Sequence, residues 1–537
     1  MQFRFIDSLY QTGMLCVMKS NDALRHLTEM ALFLFYTFLS LAFIFTLLKI
    51  LLQTQSRRFR NLPPGPPTLP IIGNLHHLKP PNHHAFAVLS QTYGDVISLR
   101  FGRRLVVVLS SLSVVQQCFA ANDVVLANRP RFLVGKYVSY DYTTLGSTSY
   151  GHHWRNLRRI ATVDVLSTHR LNSFVGVRRD EIRRLVMKLG QDATCREGEG
   201  FAKVELRWRL TEMTFNNMMR MITGRRCYGQ DCDVKEAETA RQFREVITEM
   251  VSLSGANNKG DFLPLLRLFD FEDLEKRLKR IAERADAFLH SLIEEHRSGK
   301  HGSVDNMIDH LLKLCQLQPE YYSDHIIKGL IQAMLLAGTD TPALTIEWVM
   351  SELLNNPEVL KKAKDEINTH IGKDRLVEEQ DLPKLSYLQN IISETFRLHP
   401  LAPLLLPHES SEDCTIGGYH IPRGTIVLTN AWLIHRDPIL WSDPTSFKPE
   451  RFEREGEVSK LITFGLGRRA CPGLGLAQRM VGFTVALLIQ CFEWNRESEQ
   501  KIDMVEDKGL SMAKLIPLQA MCKSLPIVNN IMKKLIN

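Results

Sequence analysis

Two short stretches of the chain carry residue types that do chemistry. The first is FGLGRRACPG, Phe464 to Gly473, in which Cys471 stands between Arg468-Arg469 and an apolar run, LGLAQRMVGFTVALLIQCF. A thiol beside arginines and a helix N-terminus is expected to ionise more readily than a free one, which suits a ligand or a nucleophile. Gly465, Gly467 and Gly473 permit tight turns and close approach to a flat group, and Pro472 ends a regular hydrogen-bonded ladder. The second stretch is Ala337-Gly338-Thr339-Asp340-Thr341-Pro342, inside a long helical pattern. Pro342 has no N–H for the Gly338 carbonyl, so a groove or kink belongs there. Thr341 can donate its hydroxyl to the Ala337 carbonyl or to a ligand in that groove. An acid beside an alcohol at a helix defect suits the delivery of protons to bound oxygen.

Three chemistries compete for the cysteine loop. Gly465-x-Gly467-x-x-Ala470 fits a dinucleotide fingerprint after a possible strand, LITF, with Glu493 about 20 residues on. That fold needs further strand–helix alternation, and the residues after Gly473 do not supply it. A cysteine nucleophile needs a base, and no histidine stands nearby in sequence. Axial thiolate ligation of a heme needs one cysteine, backbone amides close to the sulfur, and arginines for the propionates.

The loop resembles the heme-binding signature of cytochrome P-450 proteins, F-x-x-G-x-R-x-C-x-G, at every fixed position: Phe464, Gly467, Arg469, Cys471 and Gly473. The resemblance implies a mainly α fold with small β-sheets, heme b as cofactor, and Cys471 as axial ligand of the heme iron. Ala337 to Thr341 is similar to the family's A-G-x-D-T, which implies catalytic roles for Asp340 and Thr341; Pro342 stands where the family usually has serine or threonine. Trp154-x-x-x-Arg158 puts indole and guanidinium on one helix face, a pattern that a solvated basic helix fits equally well. The family's W-x-x-x-R reaches a heme propionate, and its basic face receives the reductase. His408 matches a position that can also contact a propionate.

Glu394 and Arg397 share a face at i,i+3 on a helix expected to start near Leu385. By resemblance, this E-x-x-R and the later Pro449-Glu450-Arg451-Phe452 form a buried Glu394, Arg397, Arg451 network that locks the heme loop. The segment Leu398 to Asp413 would line the pocket above the heme. Leu133, Ala337, Ala402, Leu404, Leu405 and Ser511 are the candidate substrate contacts, with Leu510 and Met512 beside the last of them. Such a lining is apolar with few hydrogen-bonding groups, which suits a small aromatic substrate.

The rest of the chain must position these groups. With 67 basic and 59 acidic residues the net charge is +8, without a basic block, so nucleic acid is not indicated. The ten cysteines are scattered; Cys227 and Cys232 lie close but lack the second half of a zinc site. They are read as reduced residues of a cytosol-facing protein. No interior linker divides the 537 residues. The expected division is an extension over 1–29, a transmembrane anchor over 30–52, a basic patch and proline-rich hinge over 53–78, and a catalytic heme domain over 79–537. The extension precedes the point where chains of the family commonly begin, so Met30 is a candidate start. Met30 to Leu48 is uncharged for 19 residues, close to the roughly 20 needed to cross a bilayer core. Lys49, Arg57, Arg58 and Arg60 follow it, against Lys19 and Arg25 before it, which leaves the body cytosolic. The resemblance makes this a single-pass protein of the endoplasmic reticulum membrane. The prolines at 63, 64, 66 and 67 make a stiff spacer.

Asp95 to Ser111 reads as two strands about a Phe-Gly-Arg turn, and TIGGYHIPRGTIVLTN as a hairpin. Ala127 to His153 is a long irregular stretch of the kind that tends to be functional. Ser323 to Asn355 reads as one helix of about 50 Å. Gly260 to Phe271 is apolar and suits either the core or the bilayer surface.

The resemblance as a whole implies a plant microsomal monooxygenase that uses O2 and electrons from NADPH through a membrane-bound NADPH-cytochrome reductase, since no convincing nucleotide or flavin site stands in the chain. NLPPGPPTLPIIGNLHHL, TTLGSTSYGHHWRNLRRI and LLPHESSEDCTIGGYHIPRGT are similar to plant isoflavone 2'- and 3'-hydroxylases. The implied reaction is hydroxylation of the isoflavone B-ring. Related plant hydroxylases of flavones, lignans or indoles, a thiolate-heme isomerase or dehydratase that uses no oxygen, and a heme-binding protein without catalysis are the alternatives.

Overall fold

The computed structural model describes residues 28–46, 61–194, 200–228, 234–254, 258–263, 273–299 and 306–528, together with Met14, Arg25, His26 and Leu266. The extension, apart from a few residues, the basic stretch after the apolar run, Cys232, and most of Gly260 to Phe271 therefore lie outside the described residues. The chain divides into two units at Leu62/Pro63. The first contains a helix, Thr28–Thr46, of 19 residues with mean hydropathy 1.8 and no buried residues, long and apolar enough to cross a membrane.

In the second unit helices dominate and three small sheets close its edges. The larger sheet runs β1 (Val96–Phe101), β2 (Arg104–Leu109), β7 (Ile426–Thr429), β4 (His408–Glu409). Its first pair is the expected hairpin, with Phe101 opposite Arg104. Gly102 turns the corner at φ +55°. Strand β7 joins β2 in parallel, Val106 opposite Ile426, and so brings the C-terminal half of the chain against the N-terminal half. Strands β5 (Cys414–Ile416) and β6 (Tyr419–Ile421) form the second expected hairpin. A third sheet orders β3 (Ala202–Glu205), β9 (Gln519–Ser524) and β8 (Phe492–Asn495).

The helices that bear on the site are α1 (Leu133–Val138), α2 (His152–Arg159), α3 (Val175–Thr194), α4 (Leu206–Thr223), α5 (Leu274–Arg297), α6 (Asp324–Gly338), α7 (Asp340–Asn355), α8 (Ser386–Leu398) and α9 (Leu474–Cys491). Helix α1 and the tight turns after it occupy the stretch expected to be irregular. Helix α9 passes the same length and hydropathy test as a membrane span, yet most of it is buried. Val481, Phe483, Val485, Leu487, Leu488 and Ile489 are each fully buried. At about 1.5–3 kcal/mol per buried side chain, this helix is a main prop of the core. It packs on α7, and α7 packs on α4 and α8, so the two chemistry-bearing stretches are attached to one rigid centre.

One expectation about the long helix does not hold. The residues from Ser323 to Asn355 form two helices, not one, separated at Thr339 (φ −91°, ψ −67°). The missing Pro342 N–H and the close approach of α4 at Gly338 explain the break. A Cβ on Gly338 would lie 2.7 Å from the Met218 sulfur.

The proline run is fastened to the second unit. Ser98 donates its N–H to the Pro64 carbonyl (2.8 Å) and its hydroxyl to the Pro63 carbonyl (2.7 Å). Asn74 Nδ2 donates to the Pro67 carbonyl at 3.0 Å, and Asn74 Oδ1 accepts from Arg100 N at 2.8 Å. Gly65 is required by this contact, because a Cβ there would lie 2.0 Å from the Ser98 carbonyl oxygen. Gly65→Ala is therefore expected to lower the thermal unfolding midpoint by several degrees and to loosen the proline run. Scanning calorimetry and limited proteolysis at residues 61–70 check this.

Candidate functional site

The cysteine loop is closed by its own backbone. Cys471 N donates to the Phe464 carbonyl (2.8 Å), Gly465 N to Ile462 (2.8 Å) and Ala470 N to Gly467 (3.1 Å). Gly465 and Gly467 take φ +73° and +66°. At Gly467 a Cβ would meet Asp123 Oδ1 at 2.3 Å, and that same oxygen accepts from Arg468 N at 3.0 Å. Arg468 Nε ion-pairs with the other Asp123 oxygen at 3.0 Å.

Cys471 Sγ is solvent-accessible and accepts from Gly473 N at 3.3 Å, at the start of α9. The expectation of a lowered thiol pKa is overturned. Burial on most sides pushes it up, more than the Gly473 N–H, the nearby Arg158 charge and the Leu474 N–H pull it down. The arginines adjacent in sequence do not act on the sulfur as the spacing suggested. Arg468 is engaged with Asp123, and Arg469 reaches away to the carbonyls of Ala127 (2.8 Å), Leu145 (3.2 Å) and Thr148 (2.5 Å). The cation that reaches the loop is Arg158, from α2, whose Nη1 donates to the Ala470 carbonyl at 2.5 Å.

Around this loop lies a cluster of cations. Arg129, Arg158 and Arg469 have no carboxylate partner among the described residues. Burial lowers the pKa of all three: Arg129 to about 10, Arg469 to about 9 with Arg129 and Arg158 adding repulsion. Arg129 Nη1 donates to the carbonyls of Leu406 (3.0 Å) and Pro407 (2.6 Å), and its Nε has no partner among the described residues. Trp154 is buried with its ring 4.5 Å from the Arg469 guanidinium, and its Nε1–H is also without a partner. His408 donates from Nδ1 to the Leu126 carbonyl at 2.6 Å. Burial, and then the charge of Arg129, push its pKa down to about 3, so it is neutral. Uncompensated buried charge costs several kcal/mol per ion. A set of three guanidiniums and two orphaned N–H donors calls for an anionic partner with several acceptor oxygens, and one accessible thiol stands beside it. Those are the donors that a heme with two propionates would use, so the residues fit that group.

On the other side, Glu394 and Arg397 are fully buried and paired in a fork, Nε to Oε2 at 2.7 Å and Nη2 to Oε1 at 2.8 Å. Arg451 Nε donates to Glu394 Oε1 at 2.9 Å. Arg397 Nη1 then donates to the carbonyls of His435 (2.7 Å) and Pro444 (2.6 Å). His435 Nε2 accepts from Ile462 N at 3.1 Å, two residues before Phe464. Its pKa is pushed down to about 3 by burial and by Arg397, so it serves as a neutral acceptor with the proton on Nδ1. Phe464 meets Phe396 edge to face at 5.0 Å. The ion pair thus reaches the loop through two contacts, a histidine ring and an aromatic pair.

On the broken helix, Ala337 and Thr341 are exposed in mid-chain. Thr341 Oγ1 donates to the Ala337 carbonyl at 2.6 Å. Burial raises the Asp340 pKa, while Arg244 and Arg207 oppose the shift. Leu133 is buried at the start of α1, its N–H on Asp261 Oδ1 (2.7 Å). The Ala402 carbonyl accepts from Leu405 N (2.9 Å), and Leu405 takes φ +53°. Leu404 and Leu405 pack against two different apolar clusters of the larger sheet. Ser511 is half-buried, and its carbonyl accepts from Ala513 N at 2.8 Å. Arg129 and His435 escaped the sequence reading. Nothing local marks either one except a charged or ionisable residue next to a proline or an apolar run.

The description Cytochrome P-450 matches residues 63–521, most of the chain. The chain belongs to the cytochrome P-450 family, and as such it is a heme-thiolate monooxygenase that carries heme b. It is 70% identical to the isoflavone 3'-hydroxylase of Medicago truncatula, over 93% of this chain and 99% of that one. It is 62% identical to the isoflavone 2'-hydroxylase of Glycyrrhiza echinata (93% and 98%) and 61% identical to that of Medicago truncatula (93% and 98%). Among solved structures, a zebrafish cytochrome P-450 with progesterone matches with a TM-score of 0.69 at 25% identity, over 83% of this chain and all of that one.

Because breaking a buried pair leaves the partner charge uncompensated, Glu394→Gln is expected to destabilise the fold by about 3–5 kcal/mol. Denaturant unfolding followed by circular dichroism measures this, and heme content per polypeptide should fall in parallel.

Proposed function

We propose that the protein hydroxylates the B-ring of an isoflavone, at the 3' position, with Cys471 as the residue that would hold the heme iron. The observation that carries this reading is the 70% identity over nearly the full length of both chains with an isoflavone 3'-hydroxylase. The relatives at 62% and 61% identity support the 2' position as the second reading. When bound, heme supplies the reductive activation of O2, from which one oxygen atom enters a C–H bond and the other leaves as water.

The chain's own residues do the rest. Cys471 would hold the heme iron through its sulfur, which accepts from the Gly473 N–H. Trp154, Arg129, Arg158, Arg469 and His408 would hold the carboxylates of the heme, whose charge the cationic cluster would offset. Phe464, Gly467 and Gly473 shape the loop. Glu394, Arg397 and Arg451 hold its entry residues through His435. Asp340, whose pKa burial raises, would hold and hand on a proton, and Thr341, whose hydroxyl donates to the Ala337 carbonyl, would be the neighbouring hydroxyl of that relay. Pro342 supplies no hydroxyl beside them, so the relay depends on these two. Ala337, Ala402, Leu133 and Ser511 border the substrate, with Leu404 and Leu405 setting the wall behind it.

Residues 30–52 anchor the protein in the endoplasmic reticulum membrane with the domain over 79–537 in the cytosol; the apolar Thr28–Thr46 helix supports this. The proline-rich residues from Pro63 onward belong with the domain, to which they are fastened through Ser98 and Asn74. The basic α2 face is the docking surface for an NADPH-cytochrome reductase, and O2 and a small aromatic compound are the co-substrates.

Expression in microsomes with a plant reductase and feeding of isoflavones, flavones, lignans and indoles, with product identification, tests the reading. Hydroxylation of none of the isoflavones would sink it. Cys471→Ala is expected to abolish the ferrous-carbonyl band and turnover together.

For Asp340 the sign of the pH effect follows from its raised pKa. The proton-bearing form persists to higher pH than in an exposed aspartate and is lost as pH rises through the raised value. Coupling of NADPH use to product should fall as pH rises. Asp340→Asn should lose about 10²-fold or more in turnover and flatten that profile, as read by NADPH oxidation against product.

A further inference from the structure

Trp348 lies on α7, seven residues beyond Thr341 and therefore two turns along the same helix face. It is fully buried, and two side-chain contacts hold it. Its ring stacks on His399 with centroids 3.9 Å apart and planes 6° from parallel. His399 is itself tied to Glu352, one turn beyond Trp348 on α7, by its Nε2 at 2.7 Å from Oε1. The indole N–H, which a buried tryptophan rarely leaves unused, donates to the Met512 carbonyl at 2.7 Å. The Met512 N–H in turn donates to the Leu401 carbonyl at 2.9 Å. One indole therefore ties two chain segments that are far apart in sequence, one at His399–Leu401, by its stack on His399 and through the Met512 N–H, and one at Met512 directly. Trp348 and Thr341 lie on one helix, so both segments are tied through the indole to the element that carries Thr341.

We infer that Trp348 is a positioning residue that sets which aromatic carbon is hydroxylated. It does so by fixing the separation of these two segments from each other and from Thr341. The inference rests on the isoflavone reading above. Trp348 touches neither heme nor substrate on this view; its effect passes through the Met512 peptide. A second anchor acts on the same loop. Buried Lys514 donates from Nζ to the Asp503 carbonyl and lies 5.1 Å from the Trp348 ring. The 2' and 3' carbons of a B-ring are neighbours, so a small displacement of either segment exchanges one for the other.

The test uses the full chain in microsomes with a reductase, fed an isoflavone, with both hydroxylated isomers quantified. Trp348→Phe keeps a ring against His399 and removes only the donor. It is expected to retain the ferrous-carbonyl band and to change the isomer ratio by about fivefold or more, equivalent to ~1 kcal/mol between competing barriers. More NADPH should be consumed per product. A merely structural role would lower heme content and leave the ratio alone. If the variant holds its heme and its ratio stays within about twofold of the parent, the inference is overturned. Should Trp348→Phe fail to hold heme, Lys514→Met decides. This variant leaves the indole bond in place and frees the second anchor, and it must shift the ratio in the same direction, or the inference fails. A parent enzyme that makes no hydroxylated isoflavone refutes the functional reading instead, and that outcome is visible before any variant is compared.

Discussion

The constraint on which this structure turns is the burial of positive charge. Arg129 is buried and Arg158 and Arg469 are half-buried, and among the described residues all three are answered by backbone carbonyls and an indole face rather than by a carboxylate. Carbonyl dipoles offset part of the desolvation cost, and all three lowered pKa values register the remainder. Such an arrangement persists only because the surrounding core holds it. That core is α9 against α7, with the larger sheet pairing β2 to β7 across more than 300 residues of sequence. The anionic carboxylates of heme b, the cofactor of this family, would relieve that charge.

The opposite problem is solved on the other side of the loop. Glu394 and Arg397 are fully buried but satisfied, each by a charge-assisted fork and the arginine by further carbonyls. A buried ion pair is weak evidence for net stability, but it is directional. Here the direction runs through His435 to Ile462 and so to the residue ahead of the cysteine loop. Rigid placement of a ligand sulfur needs that kind of support, because a loop of glycines has little stiffness of its own.

The break between α6 and α7 shows how a local defect becomes a site. A regular helix buries its hydroxyls against its own backbone and exposes no acid to its interior face. Loss of the Pro342 N–H and the lack of a side chain on Gly338 separate the two halves. Thr341 is left accessible, and Asp340 is held where burial favours its protonated form. The same helix continues to Trp348, whose indole N–H donates to the Met512 carbonyl.

What the amino-acid order determined by itself was everything that depends on short spacing. The Cys471 loop with its glycines, the Glu394–Arg397 pair at i,i+3, the Trp154–Arg158 face, the two hairpins and the apolar N-terminal helix are all set by residues within a turn or two of each other. The tertiary structure decided which cations gather around the cysteine loop. Arg158 meets Ala470 across 312 positions, Arg129 meets Pro407 across 278, and Asp123 takes the Arg468 N–H across 345. It also decided the direction of the Cys471 shift, since burial outweighed the neighbouring charges, and the use of His435 as an acceptor. The physical reason is range. Helical and strand periodicities encode contacts a few residues apart, whereas desolvation and long-range hydrogen bonds exist only once distant segments have packed.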